Sequence, residues 1–338
     1  MLRFTDPQQA AVRGARISFN ETALAMAARL GEHNGSMLVG NSAPVPLDAW
    51  RRIDQRGSMI QRDVLAVFNT LALASQTPIQ IADLVSFFPK ISDSGDVHVS
   101  MDGRSEGPAD QAIIKYEGTP VPILDSQARF GWRQMEVIRK GGGILDTETV
   151  ANHQRKIAEK MEDMALNGLS NIVVGGATIY GLRTFPNRRT ATHGIDLNAG
   201  ATTGAQWATV FKQLIDAHQA DNSFGDTTVF LNYSDYTFAA NTEFIANYPK
   251  KILNHLLEMK GIAAIIPCSK VPADDVIGVN KLQSGEWGSI LSAMPMTTRP
   301  KARHNPEDDY TFGVMAAVAP QFRSDFSDRS HIVQLTRV

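Results

Sequence analysis

Residues 86–135 constrain this chain most. Short alternating runs, Val97-His98-Val99-Ser100-Met101 and Gln111-Ala112-Ile113-Ile114-Lys115-Tyr116, flank the turn-rich stretch Asp102-Gly103-Arg104-Ser105-Glu106-Gly107-Pro108. Period-two alternation predicts strands, with the Gly, Pro, Asp and Ser residues turning the chain between them. The segment therefore reads as a long two-stranded excursion. A lone hairpin is marginal in water and its unpaired edges invite pairing, so an extended one is best explained by support from neighbouring subunits.

Around it, helical and strand periods mix. Residues 1–46 are rich in Ala, Gly, Asn and Arg and end in the break Gly40-Asn41-Ser42-Ala43-Pro44-Val45-Pro46. They read as an arm, with one short helix at Thr22–Leu30, because they hold too few apolar residues to offset chain entropy alone. From Leu47, Trp50, Ile53, Ile60, Val64, Val67, Phe68 and Leu71 recur at helical spacing. The clearest helix spans about 146–166 after Gly141-Gly142-Gly143: Val150, Ile157, Met161 and Met164 form its stripe, Asp146 or Thr147 its cap, and Gly168 the C′ residue. A second runs from about Gly204 to Gln219 on Trp207, Val210, Phe211, Leu214 and Ile215. A strand at Thr227–Leu231, helical pieces from Asn232 to Lys260, and strands at 263–266, 276–279, 288–296, 311–318 and 332–335 complete the pattern. Without regular βαβ alternation, the fold class is α+β.

Composition narrows the function. The 338 residues are 43% hydrophobic, enough for one large core or two modest ones. Thirty-three Lys and Arg against 35 Asp and Glu leave a formal charge of −2, so no broad basic surface for coating nucleic acid is expected. Cys268 is the only cysteine, which excludes an intrachain disulfide and a multi-cysteine zinc site and fits a reducing cytosol. The start, Met1-Leu2-Arg3-Phe4-Thr5-Asp6-Pro7, lacks a signal-peptide apolar run, and no stretch approaches the ~20 apolar residues of a membrane span, so neither export nor insertion is expected.

No chemistry stands out. Neither Gly141-Gly142-Gly143 nor Gly175-Gly176 is followed by the Lys-Ser or Lys-Thr of a phosphate loop, and both read as turns. The eight histidines are scattered, with His98 in a predicted strand and His153 on the charged helix, and none forms a metal-binding pair. Cys268 follows an apolar run and reads as a small hydrophobe. Glu307-Asp308-Asp309 reads as a solvated turn, with cation attraction the alternative. Arg183, Arg188 and Arg189 around Phe185-Pro186 are the densest basic cluster, open to three readings: an exposed loop, a subunit contact or a nucleic-acid contact. No catalytic residue, metal or cofactor is nominated.

The order of segments resembles the major capsid proteins of tailed bacteriophages, the Hong Kong 97 fold that encapsulins share. Leu47-Asp48-Ala49-Trp50-Arg51-Arg52-Ile53-Asp54 is similar to the family's opening helix. Pro120–Leu124 leading into Arg129–Glu136 resembles the returning E-loop strand, and 146–166 the spine helix. Leu166-Asn167-Gly168 followed by Ile179-Tyr180-Gly181-Leu182 resembles the family's small-residue turn, and Thr311-Phe312-Gly313-Val314 the late strand that closes the peripheral domain.

The resemblance implies a non-enzymatic shell protein whose hexamers and pentamers close into an icosahedral capsid, with each E-loop lying over a neighbour. It implies an arm at 1–46, a peripheral domain from 47–90, 131–180 and 297–338, an E-loop at 86–135 and an axial domain at 181–296. Arg104, Glu106, Arg183, Phe185 and Arg188 are candidate subunit contacts. The implied partners are the chain itself, portal, scaffolding and decoration proteins, and double-stranded DNA enclosed without sequence-specific binding, with no membrane and no cofactor. The implied location is the virion, assembled in the host cytoplasm. No Lys–Asn cross-link between subunits is expected. The nearest alternative is an encapsulin nanocompartment; a more distant one is a soluble α+β enzyme.

Overall fold

The computed structural model describes residues 65–337 except 96, 100, 102–109, 140–146 and 246–249. The expected arm, its Thr22–Leu30 helix, the 47–64 helical pattern and the 102–108 turn lie outside the described residues. Contacts divide the chain into units 1–59 and 60–338, and the described residues all belong to the second.

Helix α1 (Val67–Ala74) begins with N–H groups that have no acceptor of their own. The buried Glu162 carboxylate supplies one, accepting from Ala66, Val67 and Phe68 at 3.1, 2.9 and 2.7 Å. The short strand β1 (Gln76–Pro78) precedes β2 (Val85–Ile91), which pairs antiparallel with β3 (Ile114–Pro120). Then come β4 (Ile123–Phe130), α2 (Trp132–Arg139) and the 21-residue α3 (Thr147–Asn167). Gly168, at φ +71°, ends α3 as expected.

The hairpin of β5 (Leu169–Val174) and β6 (Ala177–Ile179) turns on Gly175 and Gly176, both at positive φ. It leads to β7 (Arg189–Thr192), α4 (Gly204–Ala220), β8 (Thr227–Asn232), α5 (Tyr233–Asn241) and α6 (Ile252–Leu257). Strands β9 (Ile262–Cys268), β10 (Val276–Asn280), β11 (Gly288–Pro300), β12 (Tyr310–Phe322) and β13 (Ile332–Thr336) finish the chain.

Two larger sheets organise these elements. One runs β1-β11-β12-β4 and the other β7-β13-β10-β8-β9, so the last strand sits beside β10 and β7 in the five-stranded sheet. Helix α3 lies on the first sheet through Ile157, Val314 and Ala316. On the second, the α4 stripe Trp207, Val210, Phe211 and Leu214 packs with Ile252, Leu256, Val229, Val276 and Val333. A third cluster, from Leu71, Met164 and Leu182 to Phe230, Trp287 and Phe322, joins the elements of both sheets. Gly168 and Gly181 make one close approach possible: a Cβ on Gly181 would stand 2.4 Å from the Gly168 nitrogen.

Three expectations are corrected. Strand pairing in the excursion lies at 85–91 and 114–120, while Val97, His98 and Val99 are outside any strand. Residues 123–130 leave the excursion for the edge of the four-stranded sheet, because Leu124 packs against the cluster around Ile157 of α3, Ser126 Oγ bonds the His153 ring at 2.6 Å and the backbone finds β12. Residues 132–139, read with the returning strand, form a helix whose first turn is closed by Met135 N–H donating to the Gly131 carbonyl at 3.1 Å. Arg, Gln, Met and Glu all favour that state.

Candidate assembly surfaces

The β2–β3 ribbon has two unlike faces. Register sets Ile91 opposite Ile114, Pro89 opposite Tyr116 and Phe87 opposite Gly118 on one of them. This face is open: Phe87 is 62% exposed, Ile91 58% and Tyr116 69%. Beyond it, Val97 and Val99 stand more than four-fifths exposed. Contiguous apolar surface of this kind marks an interaction site.

The opposite face is tied down. Phe88 and Lys90 are buried, and Lys90 pairs with Glu117 and with Asp328, the latter at 3.3 Å. Lys115 stands 4.5 Å over the Phe326 ring, Arg323 lies 6.0 Å from that of Phe88, and the Gln321 amide donates to the Ser86 carbonyl at 3.2 Å. A groove of about 390 Å³ separates the ribbon from the β5–β6 hairpin, with Phe185 and Phe322 among its lining residues and Phe87, Tyr116 and Tyr180 exposed.

The basic corner is built into the subunit. Arg183 pairs with Asp275 at 3.4 Å and donates to Asn167 Oδ1 at 3.0 Å. Phe185 is buried against Tyr180 and Phe322. Arg188 donates to Gln334 Oε1 at 2.9 Å and to the Phe185 carbonyl at 2.8 Å; burial, with Arg183 beside it, lowers its pKa. Arg189 pairs with Asp221 at 2.7 Å. Arg104 and Glu106 lie outside the described residues.

The buried titratable groups offer little reactivity. Burial pushes the Cys268 thiol up to about 11, and it donates to Glu162 Oε1 at 3.2 Å. His218, in the last turn of α4, is 1% exposed with neither ring nitrogen hydrogen-bonded, and burial pushes its pKa down to about 3. Among the described residues no group of three or more His, Cys, Asp or Glu is arranged to hold a metal, and no helix is long and apolar enough to cross a membrane. Sequence reasoning missed Glu162 and His218. The signal for Glu162 was its place three and four residues before Ala165 and Leu166, inside the buried stripe.

Residues 39–335 match the model of a family of unknown function, DUF6260. No curated protein matches the chain. Among solved structures, the capsid of Myoviridae phage XM1 is similar with a TM-score of 0.68 at 10% identity, over 88% of this chain and 99% of that one. The capsid of a native GTA particle gives 0.57 at 13% identity, over 87% and 98%. A virus-like particle from Pyrococcus furiosus gives 0.53 at 14%, over 80% and 95%. The fold is therefore α+β and that of phage capsid proteins, as the order of segments implied.

Proposed function

The chain belongs to the family of unknown function DUF6260, and we propose that it is the major capsid protein of a tailed bacteriophage, self-assembling into the hexamers and pentamers of an icosahedral shell around double-stranded DNA. The observation that carries this reading is a capsid fold bearing a ribbon with one face anchored to its own subunit and the other apolar and bare. A neighbour that covers the bare face gains about 25 cal/mol for each Å² of apolar surface removed from water. Repetition of one such contact around a closed shell makes weak interfaces collectively strong.

In this reading the E-loop, expected at 86–135, narrows to the β2–β3 ribbon and the residues between its strands; 123–130 and 288–296 join the peripheral domain of 47–90, 131–180 and 297–338 through the four-stranded sheet, and the rest of 181–296 is the axial domain, joined by strand β13. Of the basic corner, Arg183 and Arg189, whose side chains are 30% and 42% exposed, are the members with surface left for a neighbour. Phe185 and Arg188 shape the corner from within, and Arg104 and Glu106 contact from the E-loop tip. The role is structural, without catalysis; portal, scaffolding and decoration proteins are the further partners, and the virion is the location. Electron microscopy of the chain expressed alone and of native particles tests this. Closed shells holding DNA are expected, and a small oligomer under every salt and pH condition would overturn it. The likeness to the Pyrococcus furiosus particle favours a second reading, a nanocompartment of the same fold, which native shells holding protein cargo would establish instead.

A further inference from the structure

Strands β4, β12 and β11 form a three-stranded ribbon whose end carries separated charge. Lys301 N–H donates to the Thr311 carbonyl at 2.8 Å, Thr311 stands opposite Arg129, and Arg299 stands opposite Gly313. Alternation puts Arg129, Arg299 and Lys301 on one face, away from α3. Gly313 leaves room for the lysine stem there: a Cβ on it would meet Lys301 Cε at 3.4 Å. All three cations are exposed, and the Arg299 guanidinium donates to the Met294 sulfur at 3.6 Å. None has a carboxylate partner among the described residues.

The turn beyond carries the acidic residues and is closed by hydrogen bonds of its own. Arg303 lies 3.9 Å over the Tyr310 ring and donates to the carbonyls of Asp308, at 2.8 Å, and Pro306. The N–H groups of Asn305 and His304 donate to Asp308 and hold its carboxyl below the usual carboxylate range. Among the described residues Asp309 accepts the Trp132 N–H alone, at 3.3 Å, and exposed Glu307 has no bond. Two anions, Glu307 and Asp309, thus sit at the turn and three cations a few residues back, without ion-pair partners among the described residues of the subunit.

We propose that this ribbon end joins copies of the chain, the 307–309 turn of one seating on the Arg129, Arg299 and Lys301 face of another. The inference rests on the capsid reading and adds a contact of opposite character to the apolar face of the β2–β3 ribbon. Complementary charge selects partner and register and weakens as salt screens it.

The test uses the full chain with charges exchanged in two sets, Glu307→Lys with Asp309→Lys, and Arg129→Glu with Lys301→Glu. Each set alone should raise the threshold concentration for shell formation about tenfold or more at low salt, as lost weak contacts multiply over the shell. All four substitutions in one chain, and an equimolar mixture of the two variants, should restore it. Thermal melts of unassembled protein establish that each variant is folded. For any that is not, Glu307→Gln with Lys301→Gln replaces it, and the salt dependence of assembly should shrink. Variants that assemble like wild type, a combined variant that fails to recover, or a cation variant that loses only encapsidated DNA would each overturn the proposal. The last would assign the face to phosphate. Wild-type chain that forms no shells would count against the capsid reading instead.

Discussion

The five-stranded sheet and the β2–β3 ribbon use apolar residues of the same kinds to opposite ends. In the sheet, Val229, Leu231, Val276, Val333 and Leu335 are fully enclosed beneath Trp207 and Phe211. In the ribbon, Phe87, Ile91, Ile114 and Tyr116 stay mostly in solvent, and what fixes the ribbon to its subunit is its other face, where Phe88 is buried and Lys90 pairs with Asp328. Hydrophobic burial holds the first region together. The second leaves its apolar face open, and under the proposed capsid role that difference separates residues that fold the subunit from residues available to join subunits.

The contrast predicts unequal responses to truncation. Trp207→Ala, in the filled core over the sheet, should cost about 3–5 kcal/mol in urea unfolding of the unassembled chain. Glu162→Ala should cost less, roughly 2 kcal/mol, because it strands the buried N–H groups of Ala66, Val67 and Phe68 without opening a large cavity. A second loss that matched the first would mean that the carboxylate holds more than the start of α1 and the Cys268 thiol that also donates to it.

How much of this was legible depends on whether a residue's role was local. Helices α3 and α4 announced themselves through stripes of period 3.6, and the α4 stripe Trp207, Val210, Phe211 and Leu214 is fully buried. Strand β4 was read into the wrong element because its alternation suits an excursion and a sheet edge equally; only its pairing with β12, nearly two hundred residues on, decides. Glu162 looked like one more charge on a charged helix, since the N–H groups it serves lie about 95 residues away. The open ribbon face was visible as alternation, yet which apolar residues stay in solvent is a property of packing.

His218 provides a finer probe of the enclosed region. Its folded pKa, about 3, lies below the ordinary 6.5. The unfolded chain therefore binds the proton first as pH falls. The neutral buried ring contributes stability fully above pH 6.5 and loses it as pH falls toward 3, by at most about 1.4 kcal/mol per pH unit. Half-buried His331, lowered mainly by burial, acts in the same direction. Asp235 and Asp275, raised mainly by burial, act oppositely above pH 3.8. Replacing His218 with Leu should add about 1 kcal/mol at pH 7, because an unpaired buried polar group is removed. It should also flatten the fall in stability between pH 6.5 and 4; an unchanged slope would mean that other groups carry the acid sensitivity.

The smallest expected change in stability per substitution belongs to the ribbon and carries the most information. Phe87→Ser, Ile91→Ser and Tyr116→Ser together remove the bulk of its open face while leaving Phe88, Lys90 and the Asp328 pair in place. Because these side chains are already in solvent, the unassembled chain should unfold within about 0.5 kcal/mol of wild type per site. Assembly is another matter: a neighbour that covers the wild-type face removes three large apolar side chains from water, and the variant forfeits that gain at every copy of the contact. Shell formation should then vanish at concentrations where wild type assembles. Intact shells with unchanged stability would show that the open face is idle and shift the burden of joining subunits to the charged ribbon end.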